Sequence, residues 1–443
     1  MILTDNQVDR ISSDGLIHDA QRLKELQALP LYRKIMITQT RITEWYHHWK
    51  GNVFVSFSGG KDSTVLLHLV RSMYPDVPAV FSNTGLEYPE LQKFVKTFDN
   101  VEVLYPKMRF PDVIGQYGYP LIGKEVSEAI YYARRITPPL RQKQPGPPRR
   151  RLEMLGLRED SKNVSTKESN SRATDSRERE RERVRPWENW RRRCLLGDGG
   201  EDVSWGGAGH ADFSGNSMFN KKKWLPIAEC LPVPISMYCC NVMKKQPMSK
   251  YSRANKSYPI IGTMAEESRM RKQAWIRQGC NAYTGKIHSQ PLSFWTEQDI
   301  LSYIKLFEIE ICSIYGDINI VDKKGNIVET EEAGMPEGCK WQCSGCQRSG
   351  CIYCAYGAHS EKGETRFQRL AKTHPRQYEY CMGGGQWADN PAYDPTASMK
   401  PDEMGWINWN PKKIWVPSKE GLGMGEVFKM CNDIMGYEMY RWE

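Results

Sequence analysis

No stretch of the 443-residue chain approaches the 18 or so consecutive apolar residues that a membrane-spanning helix requires. Met1 to Leu16 alternates polar and apolar residues and lacks the apolar centre of a secretory leader. Both absences lead to the expectation of a cytoplasmic protein with no membrane contact. Net charge is scarce outside one segment: of a formal net +9, residues 141–193 carry 17 Arg and Lys against 9 Asp and Glu, leaving +1 for the remainder. The body is therefore close to neutral. Histidine is sparse, and His359 and His374, with no ligand-like spacing around them, are given no role. Cysteine, by contrast, is plentiful. Thirteen would suggest disulfides in an exported chain, but nothing directs export, and five of them crowd between Cys339 and Cys354. Metal or cluster binding accounts better for that crowding.

The most informative stretch runs from Val53 to Leu69. A strand-length apolar run is followed by the small-residue turn Ser58-Gly59-Gly60-Lys61-Asp62-Ser63 and then by helical apolar spacing. Without bulky side chains, backbone N–H groups can approach an anion closely, and the helix N-terminus adds a favourable dipole. A phosphate suits such a turn. The spacing is not that of a Walker A loop, which needs four residues between its first Gly and a Gly-Lys-Ser/Thr end.

Around this stretch the chain falls into segments. Residues 1–50 suggest helices broken at Pro30, and 51–136 hold strands ending near Ser82 and Tyr105 that alternate with helices. Residues 137–223 lose periodicity and form a basic, partly disordered insertion, either a solvated excursion or an arm for DNA or RNA. Residues 224–310 return to order, with a strand Tyr258–Thr263, a helix to about Gln278, and a helix to Phe307 capped by Thr296. Residues 311–382 hold the cysteine-rich module and a helix-turn-helix from Thr365 to Met382; 383–443 form a Gly- and Trp-rich tail expected as an irregular cover. Strands alternating with helices imply an α/β fold with a doubly wound parallel sheet, binding ligands at the carboxyl ends of its strands.

The Ser58–Ser63 loop resembles the pyrophosphate loop of the PP-loop ATP pyrophosphatases. Thr84, Gly85, Pro89 and Glu90, with Asn83 in place of the usual Asp, resemble a signature of one branch of that group, the phosphoadenosine phosphosulfate (PAPS) reductase family. The likeness covers roughly residues 50–135 and 224–381. It implies binding of ATP or a PAPS-like adenine nucleotide, with Mg2+, by Ser58, Gly59, Gly60, Lys61, Asp62, Ser63, Thr84, Gly85, Ser268 and Arg271; Lys61, Asp62 and Arg271 would carry the chemistry. Two departures stand out. Met264 and Ala265 replace two anion-binding arginines, and the Glu-Cys-Gly motif that carries the catalytic cysteine of sulfate-assimilation reductases is absent.

The module Cys339-x3-Cys343-x2-Cys346-x4-Cys351-x2-Cys354, preceded by Cys239-Cys240, has paired spacing that fits zinc as well as iron–sulfur. The resemblance tips the expectation toward a 4Fe-4S cluster held by four of Cys239, Cys240, Cys343, Cys346, Cys351 and Cys354. The function expected from these features is adenylation of a substrate by ATP for sulfur transfer, with a sulfur donor protein as partner. The alternatives are sulfonucleotide reduction and a non-catalytic nucleotide- or nucleic-acid-binding role.

Overall fold

The computed structural model describes residues 18–134, 195, 220–329, 335–396 and 407–443. The basic segment 141–193 lies outside the described residues, as does Cys194. The chain divides into two compact units, residues 1–110 with 240–352, and residues 111–239 with 353–443. Among the described residues no helix is long and apolar enough to cross a membrane.

The first unit is α/β, built on six strands: β1 (Val53–Ser56), β2 (Ala79–Ser82), β3 (Val101–Leu104), β4 (Tyr258–Ile261), β5 (Asn281–Ala282) and β6 (His288–Ser289), in the order β3-β2-β1-β4-β6-β5. All neighbours run parallel except β5 against β6. Val53, Phe54 and Val55 are all buried, as expected of a parallel strand covered on both faces. From β1 the sheet grows one way through β2 and β3 and the other way through β4 and β6, so a crevice opens at the carboxyl end of β1.

The helices of this unit are α1 (Ala20–Gln27), α2 (Leu31–His48), α3 (Lys61–Met73), α4 (Pro89–Val95), α5 (Gln246–Asn255), α6 (Arg269–Gln278) and α7 (Glu297–Leu306). Pro30 separates α1 from α2 and begins the latter. α3 follows β1 directly and buries Val65, Leu66, Leu67, Leu69 and Val70, which fixes its N-terminus at the crevice. Thr296 caps α7 as expected: its hydroxyl accepts from the Asp299 N–H, and the Asp299 carboxylate accepts from the Thr296 N–H. The helix expected from Thr263 to Gln278 is instead broken. Ser268 is extended, separates a single turn at Ala265–Glu267 from α6, and accepts the Arg271 N–H as the cap of α6. A two-stranded antiparallel ladder, β7 (Ile318–Val321) with β8 (Lys340–Cys343), leads into the cysteine-rich segment.

In the second unit the expected helix-turn-helix is present as Arg366–Thr373 and Pro375–Met382. The tail is more regular than its composition suggests, with a hairpin of Gln386–Asp389 and Lys413–Val416 and a helix Met424–Met435. That helix buries Val427, Phe428 and Cys431 at helical spacing and is flanked by Gly423 and Gly436, both in the left-handed region. Arg134 is fully buried. Its guanidinium donates to the carbonyls of Ile227, Ala228, Leu231 and Val233 at 2.6–2.9 Å and lies 4.4 Å from the Trp409 ring centre. It thereby satisfies carbonyls left open where the short helix Leu225–Cys230 ends.

Candidate functional site

The turn from Ser58 to Ser63 joins β1 to α3 and is shaped by two glycines for different reasons. Gly59 has φ +73°, and a Cβ there would come within 2.7 Å of Val95 and 2.8 Å of Leu91. Gly60 has φ −74°, which any residue adopts, but a Cβ there would meet Ser349 Oγ at 2.9 Å and Tyr315 Oη at 3.2 Å. Backbone geometry requires the first glycine and close approach requires the second.

Internal bonds hold the turn open around the α3 N-terminus. Ser63 Oγ accepts from the Ser58 N–H at 3.2 Å, donates to the Gly60 carbonyl at 2.9 Å, and lies 3.1 Å from Ser58 Oγ. No side chain caps α3. Instead the Lys61 N–H donates to Tyr315 Oη at 3.1 Å, and Tyr315 donates to Ser349 Oγ at 2.6 Å. Neither hydroxyl carries a signal in the sequence, because both lie more than 250 residues from the loop.

Lys61 is only 3% exposed. Its ammonium pairs with Asp62 at 3.1 Å and Glu297 at 3.3 Å. Burial alone would push its pKa down; Asp62, Glu297 and Tyr315 together outweigh burial and raise it. Lys61 and Asp62 line a cavity of about 170 Å³ with Met264, Glu266, Glu267, Glu297 and Arg348. Arg271 is brought to the same neighbourhood but is ion-paired to Glu267. Burial pulls its guanidinium pKa down, Arg348 adds to that, and Asp62 opposes it. Ser268 serves α6 as its cap rather than facing the loop with a free hydroxyl.

The second motif closes on itself. The Thr84 N–H and hydroxyl both donate to Glu87, at 3.0 and 2.8 Å, and Glu87 pairs with Lys244 at 3.3 Å. Gly85, at φ +72°, makes the turn, and its N–H donates to Asn83 Oδ1. Thr84 is thus committed to Glu87, a residue to which the sequence reading gave no role.

Of the six candidate cysteines, Cys343 and Cys346 lie within electrostatic reach of each other, as do Cys351 and Cys240. Cys343 lies within the electrostatic reach of Lys61, Asp62, Glu297 and Cys346. Cys351 is near Cys240 and bonds to Lys244; burial pushes its thiol pKa up while the Lys244 ammonium opposes that rise. Cys239 and Cys354 belong to the second unit. Among the described residues, no three His, Cys, Asp or Glu side chains gather where a metal ion could be held. At Cys351 the Lys244 ammonium bonds to the sulfur and pairs with Glu87 as well.

The profile of the phosphoadenosine phosphosulfate reductase domain matches residues 52–194 and 219–356. Curated proteins named phosphoadenosine 5'-phosphosulfate reductase match over shorter stretches. That from Xylella fastidiosa is 29% identical over 75 residues, 17% of this chain and 32% of the relative. That from Buchnera aphidicola is 31% identical over 90 residues, 20% and 37% respectively. The matches span about a third of the length of these relatives. A solved PAPS reductase from Candida auris, in a phosphate complex, aligns over 71% of this chain and 91% of its own at 10% identity and a TM-score of 0.28. With the domain profile covering most of its length, the chain belongs to the phosphoadenosine phosphosulfate reductase domain family.

Proposed function

We propose that the chain binds ATP with its β and γ phosphates on the Ser58–Ser63 loop and adenylates a substrate for sulfur transfer. The observation that carries this reading is the loop itself: an α3 N-terminus whose N-cap residue is Gly60, at the carboxyl end of β1, with two serine hydroxyls and a nearly buried lysine converging on it. A substrate oxygen attacks the α phosphorus, the bond to the bridging oxygen breaks, and pyrophosphate leaves. Charge on the leaving group is met by the loop amides and Lys61. AMP then serves as the leaving group when a sulfur nucleophile from a donor protein attacks. Mg2+ arrives with the nucleotide, since Asp62 is already paired with Lys61. No step is routed through a cluster.

Sulfonucleotide reduction is the second reading, favoured by the names of the curated relatives. Against it stand Met264 and Ala265 at the family's arginine positions and the missing Glu-Cys-Gly motif. Incubating the purified chain separately with ATP, PAPS and adenylylsulfate, with thiol reductant throughout, separates the two. AMP and pyrophosphate from ATP support adenylation; sulfite released from either sulfonucleotide, with ATP left intact, supports reduction. Nucleic acid as the acceptor rests on the basic segment alone. Its deletion is expected to lower salt-sensitive DNA or RNA affinity, and identical binding by the deleted and full-length chains across a salt series would remove that acceptor.

A further inference from the structure

The segment between Cys343 and Ser349 contributes nothing to the reading above, yet it sits against the phosphate loop. It is fastened there by backbone bonds: the Gly345 N–H donates to the Tyr315 carbonyl and the Cys346 N–H to the Ile314 carbonyl, both at 2.8 Å. Gly345 leaves no room for a Cβ, which would collide with the Ile314 carbonyl oxygen. Two consequences follow. Ser349 Oγ and Tyr315 Oη are held over Gly60, so close that a side chain at Gly60 would strike both. Arg348 is carried to the wall of the cavity that Lys61, Asp62 and Met264 also line.

The charges in that cavity are unequally committed. Lys61 is paired with Asp62 and Glu297, and Arg271 with Glu267. Among the described residues Arg348 has no carboxylate partner, although it stands near enough to Arg271 to depress that guanidinium's pKa. An anion entering the cavity meets the carboxylates of Asp62, Glu266, Glu267 and Glu297 on its walls, and against them Arg348 as the cation that no carboxylate of the described residues holds. It also finds the Lys61 N–H, whose present acceptor is the Tyr315 hydroxyl, a group that can turn its own proton toward an incoming oxygen.

We propose that Arg348, Ser349 and Tyr315 form the roof of the phosphate site and bind the terminal phosphates of the nucleotide. This rests on the reading that the Ser58–Ser63 loop holds phosphate, and it assigns part of the cysteine-rich segment to substrate binding. With a phosphate on the loop, an oxygen of the anion takes over the Lys61 N–H. The Tyr315 and Ser349 hydroxyls donate to the anion, and Arg348 closes over it with paired N–H donors.

The test is equilibrium binding of inorganic pyrophosphate, ATP and adenosine, the last as a phosphate-free control, to the full chain and to Arg348→Ala, Arg348→Lys, Ser349→Ala and Tyr315→Phe. Each loss of a donor to a charged group is expected to weaken pyrophosphate and ATP by about tenfold or more. Arg348→Lys should fall between wild type and Arg348→Ala, and adenosine affinity should be unchanged in all four. Wild-type binding of pyrophosphate with equal binding by Arg348→Ala and Ser349→Ala overturns the roof and leaves the loop reading standing. A parallel fall in adenosine affinity marks a general disturbance and also overturns it. If the wild-type chain binds neither pyrophosphate nor ATP, the loop reading fails and the roof fails with it.

Discussion

Lys61 in the first unit and Arg134 in the second are both almost completely buried, and the two are answered by different chemistry. Lys61, in the first unit, faces the carboxylates of Asp62 and Glu297. Arg134, in the second, faces four backbone carbonyls and the ring of Trp409. Burial pulls the Arg134 pKa down to about 9, with Cys431 and Cys230 opposing that fall, but a guanidinium bonded to four carbonyls remains charged at neutral pH. The carbonyls are fixed by the fold, and those of Ile227 and Leu231 also accept from the Leu231 N–H and the Trp409 indole. A carboxylate pair, by contrast, leaves Lys61 in a partly solvated cavity where an incoming phosphate can compete for it. A buried cation among carbonyls is a fastening, whereas one among carboxylates beside a glycine turn at a helix N-terminus is poised for an anion.

Breaking the fastening should have the largest effect. Arg134→Met takes the donor from the buried Ala228 and Val233 carbonyls and one of two donors from those of Ile227 and Leu231, and is expected to destabilise the chain by about 3 kcal/mol in urea unfolding. Arg134→Lys should recover only part, because a point charge cannot span four acceptors. A loss under about 1 kcal/mol would mean that Arg134 is no fastening at all. Next in size is Lys61→Met, which strips the loop of its cation and leaves Asp62 and Glu297 facing the phosphates. Pyrophosphate affinity should fall about 10- to 100-fold, and an unchanged affinity would erase the distinction drawn between the two cations.

Removing a competitor should act in the opposite direction. Glu297→Gln frees Lys61 of one partly exposed carboxylate and should tighten pyrophosphate binding about two- to fivefold; weaker binding would show Glu297 assisting the anion rather than competing with it. The smallest effect concerns His68, an ionisable side chain of the first unit whose only neighbour of note is neutral, the Tyr303 hydroxyl at 2.9 Å. Burial lowers the His68 pKa below its usual 6.5. The unfolded chain therefore binds the proton more readily, so this contribution to stability is present above about pH 6.5 and is lost as pH falls through the folded value. His68→Gln should flatten the decline in urea midpoint between pH 7.5 and 5 relative to wild type. His288 and His359 are shifted in the same direction and contribute equally to both chains, so parallel curves would show that His68 is not responsible.

Much of the fold was legible because its signals are local. Val53–Val55, the glycine turn and the apolar spacing of α3 announce strand, loop and helix, and Thr296 with Asp299 announces the start of α7. The break at Ser268 was missed because the residues from Thr263 to Gln278 read as one helix, while a serine able to cap the helix after it makes a second start possible. The tail was underestimated because Gly423 and Gly436, read as loop composition, in fact bound a helix. At the site, the loop residues were readable and their partners were not. Tyr315, Ser349 and Glu297 reach Lys61 only through the fold, and nothing in their own neighbourhoods marks them. Cysteine spacing likewise does not announce the charges beside each thiol, which the fold supplies: Lys61, Asp62 and Glu297 near Cys343, Lys244 and Glu87 near Cys351.

The central claim, that the Ser58–Ser63 loop holds the β and γ phosphates of ATP as they leave together, is tested most directly by identifying the bond that is cleaved. Phosphorus NMR of the wild-type chain with ATP, Mg2+ and a cell extract as the source of acceptor should show AMP and pyrophosphate. Gly60→Val, whose side chain would occupy the space beneath Ser349 and Tyr315, should lower their appearance by about 100-fold or more. ADP and orthophosphate as the products, or pyrophosphate release that Gly60→Val leaves untouched, would contradict the claim.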